Sequence, residues 1–276
     1  ATVKGVTFRN RLFLAPMCQY SINAQDGMAA DWQLMHLGAR AAGGFGLVMT
    51  EATAVQPGGR ISTHDVGLWS DAHTAPLSRI VEFIHQQNAS AGIQLAHAGA
   101  KASTEPWLPG YSGVSVDVAD DGWQTVSPSA INPVSNLAPS LPMTVAQIED
   151  SIADWAAAAT RAAVAGFDVL QIHAAHGYLI HQFLSPITNQ REDDYGGDFT
   201  GRTRYLREVV SAVRAVWPKD LPLMIRFSGS DWLENSWSVE DTAEVLHHLP
   251  EIDMVDVSSG GIGDVYAGPK PGPGYQ

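Results

Sequence analysis

Six short apolar segments, separated by stretches with helical periodicity, constrain the fold of this chain more than any other feature. Each segment is almost continuously aliphatic or β-branched, which is typical of a strand buried on both faces of a parallel sheet. The predicted strands are residues 12–15, 47–50, 92–95, 169–172, 223–227 and 254–257. Strand–helix units repeated six times, joined by right-handed crossovers, predict an α/β fold that is either a barrel or a doubly wound sheet.

Helix start and stop signals lie between these segments. Thr144 and Gln147 form a capping-box pattern ahead of a periodic apolar stretch. An apolar stripe over residues 205–216 stops before Pro218, and Ser238 is predicted to cap a further helix. The glycines at 43–46 precede a strand, which favours a helix end over a dinucleotide-binding loop.

Length and charge narrow the class of protein. A chain of 276 residues with 45% hydrophobic residues suits one barrel of roughly 250 residues. We therefore predict a single domain over residues 1–276, in which residues 102–142 form a long loop over the barrel mouth. A net charge of −13 argues against a nucleic-acid partner. One cysteine, and no run resembling a membrane span or signal peptide, predict a cytoplasmic protein with no membrane partner.

The densest group of chemically useful side chains is His173, His176 and Tyr178, directly after the fourth predicted strand. In an α/β barrel, residues at the carboxyl ends of strands build the active site. Two neutral imidazole N–H groups can polarise a carbonyl or nitro oxygen. A tyrosine, with an ordinary pKa of about 10, keeps a proton that it can deliver to a forming carbanion. Because no side chain supplies a hydride, this chemistry implies a redox cofactor.

Other interpretations remain open on these residues alone. The His-x-x-His spacing also occurs in zinc sites, although no carboxylate follows the pair until Glu192, and isolated histidines often pack in a core. Cys18 is either a core residue or part of a site. The segment 258–263 is either an anion-binding nest or a simple turn. A flavin-free barrel that acts as a binding module is a further alternative, as is a metal hydrolase.

Several ordered segments resemble the Old Yellow Enzyme family of NAD(P)H:flavin oxidoreductases. They cover residues 14–20, 51–54, 92–99, 168–186 and 189–197. The histidine pair together with Cys18 resembles the bacterial branch that includes the xenobiotic reductases. The resemblance implies a TIM (β/α)8 barrel, FMN as cofactor, and NADPH or NADH as reductant. It further implies an ene-reductase that acts on small enone-type substrates and nitroalkenes, with no metal at the site, and a homo-oligomeric assembly.

Individual roles follow from the same resemblance. Tyr20 would line the substrate pocket beside His173 and His176, and Tyr178 would donate the proton. Gln94 would bind the pyrimidine edge of the flavin, and Arg226 would lie near its N1 atom. The implied FMN contacts are Ala15, Pro16, Met17, Cys18, Ala52, Gln94 and Arg226.

After the sixth predicted strand the sequence reaches Gln276. A complete eight-stranded barrel contains two further βα units, and these carry the usual phosphate-binding site. We therefore expect about six units here, and weak FMN binding by this polypeptide alone, so that a flavin-poor or inactive fragment is the alternative. A dienoyl-CoA-reducing or amine-oxidising relative is a second alternative, but the cysteine clusters of such proteins are missing from a sequence with one cysteine.

Overall fold

A parallel sheet forms the centre of the fold in the computed structural model, which describes residues 1–264. The strands are β1 (Thr2–Val3), β2 (Val6–Thr7), β3 (Phe13–Leu14), β4 (Leu47–Ala54), β5 (Ser90–Ala96), β6 (Val126–Ser127), β7 (Leu141–Pro142), β8 (Val169–Ala174), β9 (Leu223–Ser228) and β10 (Met254–Ser258). The helices are α1 (Asp31–Ala42), α2 (Thr74–Gln86), α3 (Val145–Ala165), α4 (Leu179–Leu184), α5 (Phe199–Val216) and α6 (Val239–His247).

The sheet order is β3-β4-β5-β8-β9-β10, and every neighbouring pair is parallel. All six predicted strands are confirmed, and at least one helix lies in each connection between them. Sequential order with helical crossovers is the arrangement of an α/β barrel, so the predicted fold class is confirmed. None of the helices within residues 1–264 is long and apolar enough to span a bilayer.

The predicted helix signals are confirmed by the caps. Thr144 Oγ1 accepts the Gln147 N–H at 3.2 Å at the start of α3. Ser238 caps α6 in the same way, and α5 ends at Val216, two residues before Pro218. Gly43 ends α1, as the glycine pattern indicated.

Residues 102–142 are largely irregular, but they contain the short pair of strands β6 and β7. Neither this pair nor the β1–β2 hairpin was predicted, because these short strands do not lie in continuous apolar runs. The irregular segment is tied to the rest of the fold where Thr104 N–H donates to the Ile61 carbonyl at 2.8 Å. Thr104, Trp107 and Leu137 line a cavity together with Tyr178, so this segment lies against the predicted site.

The register of the sheet aligns residues that are far apart in sequence. One row across three neighbouring strands consists of Ala52, Gln94 and Gln171. A second row, two residues further along the strands, consists of His173, Arg226 and Asp256. Because the strands are parallel, both rows lie near the same end of the sheet, where the chain leaves the strands.

A buried hydrogen-bonded group joins α3 to α5. The Tyr205 hydroxyl lies 2.7 Å from Ser151 Oγ and accepts the Trp155 Nε1–H at 3.1 Å. All three side chains are fully buried. One phenol oxygen therefore satisfies two polar groups between the packed helices.

We expect Tyr205→Phe to lower the free energy of unfolding by about 1–3 kcal/mol, because it leaves the buried Trp155 and Ser151 groups without a partner. Urea unfolding followed by circular dichroism measures the change. Thr160→Ala is the control, since the exposed Thr160 hydroxyl bonds only the Ala156 carbonyl of its own helix. Equal effects of the two substitutions would contradict this account.

Candidate active site

His173 lies near the end of β8, and the chain leaves this strand through a tight turn that carries His176 and Tyr178. His176 has φ of 59° and Gly177 has φ of 69°, so two successive residues are left-handed. This conformation costs a non-glycine residue roughly 1–2 kcal/mol. The His173 ring contacts the His176 ring, with centroids 5.1 Å apart, and the Tyr178 ring, with centroids 4.9 Å apart. The turn therefore brings the three predicted catalytic side chains together.

Hydrogen bonds from several elements hold this turn. The His176 N–H donates to Ser228 Oγ of β9 at 2.9 Å, and Lys101 Nζ donates to the His176 carbonyl at 2.9 Å. The Gly177 N–H donates to His181 Nδ1 of α4 at 2.8 Å. The strained backbone is thus fixed by polar partners on both sides.

His181 is fixed in turn by a buried carboxylate. Its Nε2 lies 3.1 Å from Asp231 Oδ1, and both side chains are fully shielded from solvent. Because Nδ1 accepts the Gly177 N–H, the His181 proton resides on Nε2, facing Asp231. Burial opposes ionisation of Asp231, but the interactions with His181, Ser236 and the Trp237 N–H together lower the pKa of this carboxyl. The Gly177 N–H fixes the tautomer of His181, and Asp231 faces the Nε2 atom without an aligned hydrogen bond.

The two site histidines form a hydrogen-bonded chain. The Ala175 N–H donates to His173 Nδ1 at 3.2 Å, which leaves the proton on Nε2, 3.4 Å from His176 Nδ1. His176 Nε2 lies 2.7 Å from Ser258 Oγ. The sequence predicted two N–H groups that converge on one volume; here one N–H points to the other ring and the second points to Ser258. The His176 ring therefore lies between His173 and Ser258 of β10.

Burial controls the protonation of the three side chains. It lowers the pKa of His173 well below the usual range, with positive neighbours acting in the same direction. It lowers the pKa of His176 to about 3, aided by the cation of Arg226. Burial also raises the pKa of Tyr178 well above its ordinary value. The site therefore presents two neutral imidazoles and a protonated phenol at neutral pH.

Cys18 and Tyr20 belong to the segment after β3, and both lie near Tyr178. Both pack on a small apolar cluster that also contacts Tyr178. Burial raises the pKa of Cys18 well above its ordinary value, so this residue stays a thiol. Glu51 holds the segment, because its carboxylate accepts the Gln19 N–H at 3.0 Å. Burial raises the pKa of Glu51 to about 7, and neither its role nor its burial was predicted.

The predicted flavin contacts lie around the two rows of the sheet. Gln94 is buried and its Nε2 donates to Gln171 Oε1 at 2.7 Å, which leaves its own amide oxygen and one N–H for a ligand. Arg226 Nε lies 3.3 Å from Asp256 Oδ2, yet it is buried without a properly aligned hydrogen bond. A buried amide with free hydrogen-bonding atoms and a guanidinium whose Nε lacks an aligned partner are groups that fit the polar rim of an isoalloxazine ring.

The apolar residues that were predicted to contact the ring differ in their exposure to solvent. Ala52 is buried on β4, whereas Met17, after β3, is 44% exposed. Ala15 is exposed and Pro16 is partly exposed beside it. Exposed apolar residues after β3, beside the buried Ala52 of β4, are suited to contact a flat ring, so these residues fit FMN. Within residues 1–264, no three His, Cys, Asp or Glu side chains meet as a potential metal site.

Sequence reasoning missed the residues that support the site. Lys101, His181 and Asp231 were not singled out, and Ser258 was noted only as part of a glycine-rich turn. A lysine five residues beyond a buried strand was the available signal for Lys101. No pattern links His181 to Asp231, because fifty residues and a helix separate them.

Known proteins with similar sequences are flavin oxidoreductases. The chain is 49% identical, over an alignment of 292 positions, to a NADH:flavin oxidoreductase of Gibberella zeae, and covers 70% of that protein. It is 45% identical over 276 residues to the NADPH dehydrogenase of Listeria monocytogenes, and covers 75% of it. Both alignments include 99% or more of this chain.

Solved structures share the fold at lower identity. The Old Yellow Enzyme from Pichia sp. AKU4542 superposes with a TM-score of 0.79 at 27% identity, over 93% of this chain and 69% of that one. A 2-naphthoyl-CoA reductase complex gives a TM-score of 0.84 at 25% identity, over 94% of this chain. This chain covers 40% of that much longer protein.

The sequence profile of the NADH:flavin oxidoreductase / NADH oxidase family matches residues 1–268, nearly the whole sequence. FMN and a nicotinamide reductant, as predicted, are the cofactors of this family. The match and the two close relatives do not favour an inactive fragment. The chain belongs to the NADH:flavin oxidoreductase / NADH oxidase family, within its Old Yellow Enzyme group.

Proposed function

We propose that this protein is an FMN-dependent ene-reductase, which uses NAD(P)H to reduce C=C bonds conjugated to a carbonyl or nitro group. The contact of His173 with both His176 and Tyr178, in one turn beside a cavity, carries the proposal. Two neutral N–H donors and one protonated phenol are the groups that this chemistry requires. The NADPH dehydrogenase relative supports the choice of reductant.

The histidines hold the oxygen of the substrate. His173 Nε2–H donates to a carbonyl or nitro oxygen in place of His176 Nδ1, and His176 donates its own N–H once the ring turns away from Ser258. Because both rings stay neutral, each donates without placing a full charge beside the substrate. The two bonds draw electron density from the conjugated C=C bond.

Tyr178 supplies the proton, and Tyr20 completes the pocket wall. The phenol keeps its proton because of burial, so the proton is available at the α-carbon when that carbon gains electron density. FMN, when bound, would supply the hydride chemistry for the β-carbon, with NAD(P)H as the reductant. Gln94 and Arg226 would hold the polar edge of that cofactor, and Cys18 would lie against its ring as a thiol. A homo-oligomer remains our prediction for the assembly.

We expect Tyr178→Phe to slow alkene reduction by roughly 10²–10⁴-fold, the usual worth of a general acid, and to leave the anaerobic reduction of FMN by NAD(P)H largely intact. Stopped-flow absorbance of the flavin measures the two half-reactions separately. Tyr195→Phe is the control, since Tyr195 bonds Glu208 away from the site. An equal loss in both half-reactions would show that Tyr178 is not the proton donor.

We expect His173→Ala and His176→Ala each to weaken the binding of 4-chlorophenol by roughly tenfold or more, because each removes one donor to the ligand oxygen. The charge-transfer absorbance of the flavin–phenolate complex gives the dissociation constant. The exposed His248→Ala serves as the control. Unchanged affinity in both site variants would overturn the oxygen clamp.

The lowered pKa values predict that both site histidines stay neutral at pH 5. In the unfolded chain these rings take up protons below about pH 6.5, so their contribution to stability is present above that pH and decreases as the pH falls towards 3. Nitrogen-15 NMR of labelled imidazoles distinguishes neutral from charged rings, and His173→Gln and His176→Gln assign the signals. Imidazolium signals from either ring at pH 5 would contradict this.

A further inference from the structure

A cavity of about 340 Å³ adjoins Tyr178. Ile61, Trp107 and Leu137 provide its apolar lining, and Lys101 is the one cation among its lining residues. Its wall comes partly from the segment 102–142, so it extends the site away from β8. In the mechanism proposed above, neither this cavity nor the charge of Lys101 has a role.

Two hydrogen bonds hold the ammonium group of Lys101 in place. Nζ donates to the carbonyls of His176 at 2.9 Å and Gly261 at 2.6 Å. It also lies 5.9 Å from the centroid of the Tyr178 ring. An ammonium has three N–H donors, so two are used and one remains for a ligand.

The charge of Lys101 is only partly compensated. Among residues 1–264, no carboxylate forms an ion pair with it. Carbonyl dipoles offset some of the cost of a desolvated cation, but not all of it. Asp264 also lines the cavity, but it is exposed to solvent and accepts the Ser135 N–H. A solvated carboxylate is screened and does not take the place of a direct partner.

Lys101 is mostly charged at neutral pH, because its lowered pKa still lies above 7. Burial lowers its pKa to about 8, and the more distant Asp231 opposes that shift. The other titratable neighbours are His176 and Tyr178, and both are neutral at this pH. The cavity therefore presents one cation with an open donor, beside the phenol that delivers the proton.

We infer that Lys101 binds an anionic group of the ligand that fills this cavity, either a carboxylate on the alkene substrate or a phosphate of the nicotinamide reductant. This inference rests on the proposed function. A charge-assisted bond in this partly desolvated place would favour an anionic ligand over its neutral analogue by roughly 10–100-fold. The preference would fall above about pH 8, as the ammonium loses its proton.

The carboxylate arm of the test uses FMN-loaded protein and pairs of phenolic ligands. Charge-transfer titrations compare 3- and 4-hydroxybenzoate with 3- and 4-hydroxybenzamide, which have nearly the same size and shape but differ in charge. We expect wild type to prefer a benzoate by roughly 10–100-fold, Lys101→Met to abolish that preference, and Lys101→Arg to retain most of it. Lys4→Met is the matched control, because it removes one positive charge from a surface ion pair.

The phosphate arm compares NADPH with 1-benzyl-1,4-dihydronicotinamide, which lacks phosphate, in anaerobic flavin reduction. A preference for NADPH that Lys101→Met removes identifies phosphate as the anion. If Lys101→Met changes neither preference, or weakens charged and neutral ligands equally, Lys101 only supports the turn and the inference is wrong. Failure of wild type to bind the neutral amides at all would instead contradict the oxygen clamp of the proposed function.

Discussion

The rest of the site depends on the left-handed turn at His176 and Gly177. The turn reverses the chain within two residues, so that one strand end presents both histidines and Tyr178 to the same volume. A histidine does not favour this conformation, and it persists because neighbouring elements bond its backbone on both sides. Ser228 comes from the next strand and His181 from the following helix. The catalytic geometry is therefore a property of the assembled sheet, not of the local sequence.

The fold could be predicted because its signals are local and repeated. Continuous apolar runs identified all six strands of the sheet, and Thr144 and Ser238 marked two helix starts correctly. The two-residue strands β1, β2, β6 and β7 were missed because none of them lies in a continuous apolar run, unlike the equally short β3. Their pairing depends on contacts made after the chain has folded, and such contacts leave no pattern in the sequence.

The sequence predicted the site correctly only for reactive side chains at or just after the end of a strand. His173, His176 and Tyr178 meet as expected, and Cys18 and Tyr20 pack on the same apolar cluster as Tyr178. The direction of the imidazole protons was not predictable, because it depends on the Ala175 N–H and on Ser258 of a distant strand. Glu51 and Lys101 were missed for a similar reason. Each acts by holding another segment in place, and that depends on burial and orientation rather than on residue type.

The aligned rows across the sheet have a consequence for how the protein becomes active. Ala52, Gln94 and Gln171 become neighbours only after β4, β5 and β8 have paired, and Arg226 meets Asp256 only when β10 joins β9. Pairings with such long sequence separations form slowly, because the chain must close large loops before it gains their contacts. A partly folded chain can therefore contain every strand and helix and still lack a place for its cofactor. Under the proposed function, flavin binding would report that β4, β5, β8, β9 and β10 have paired.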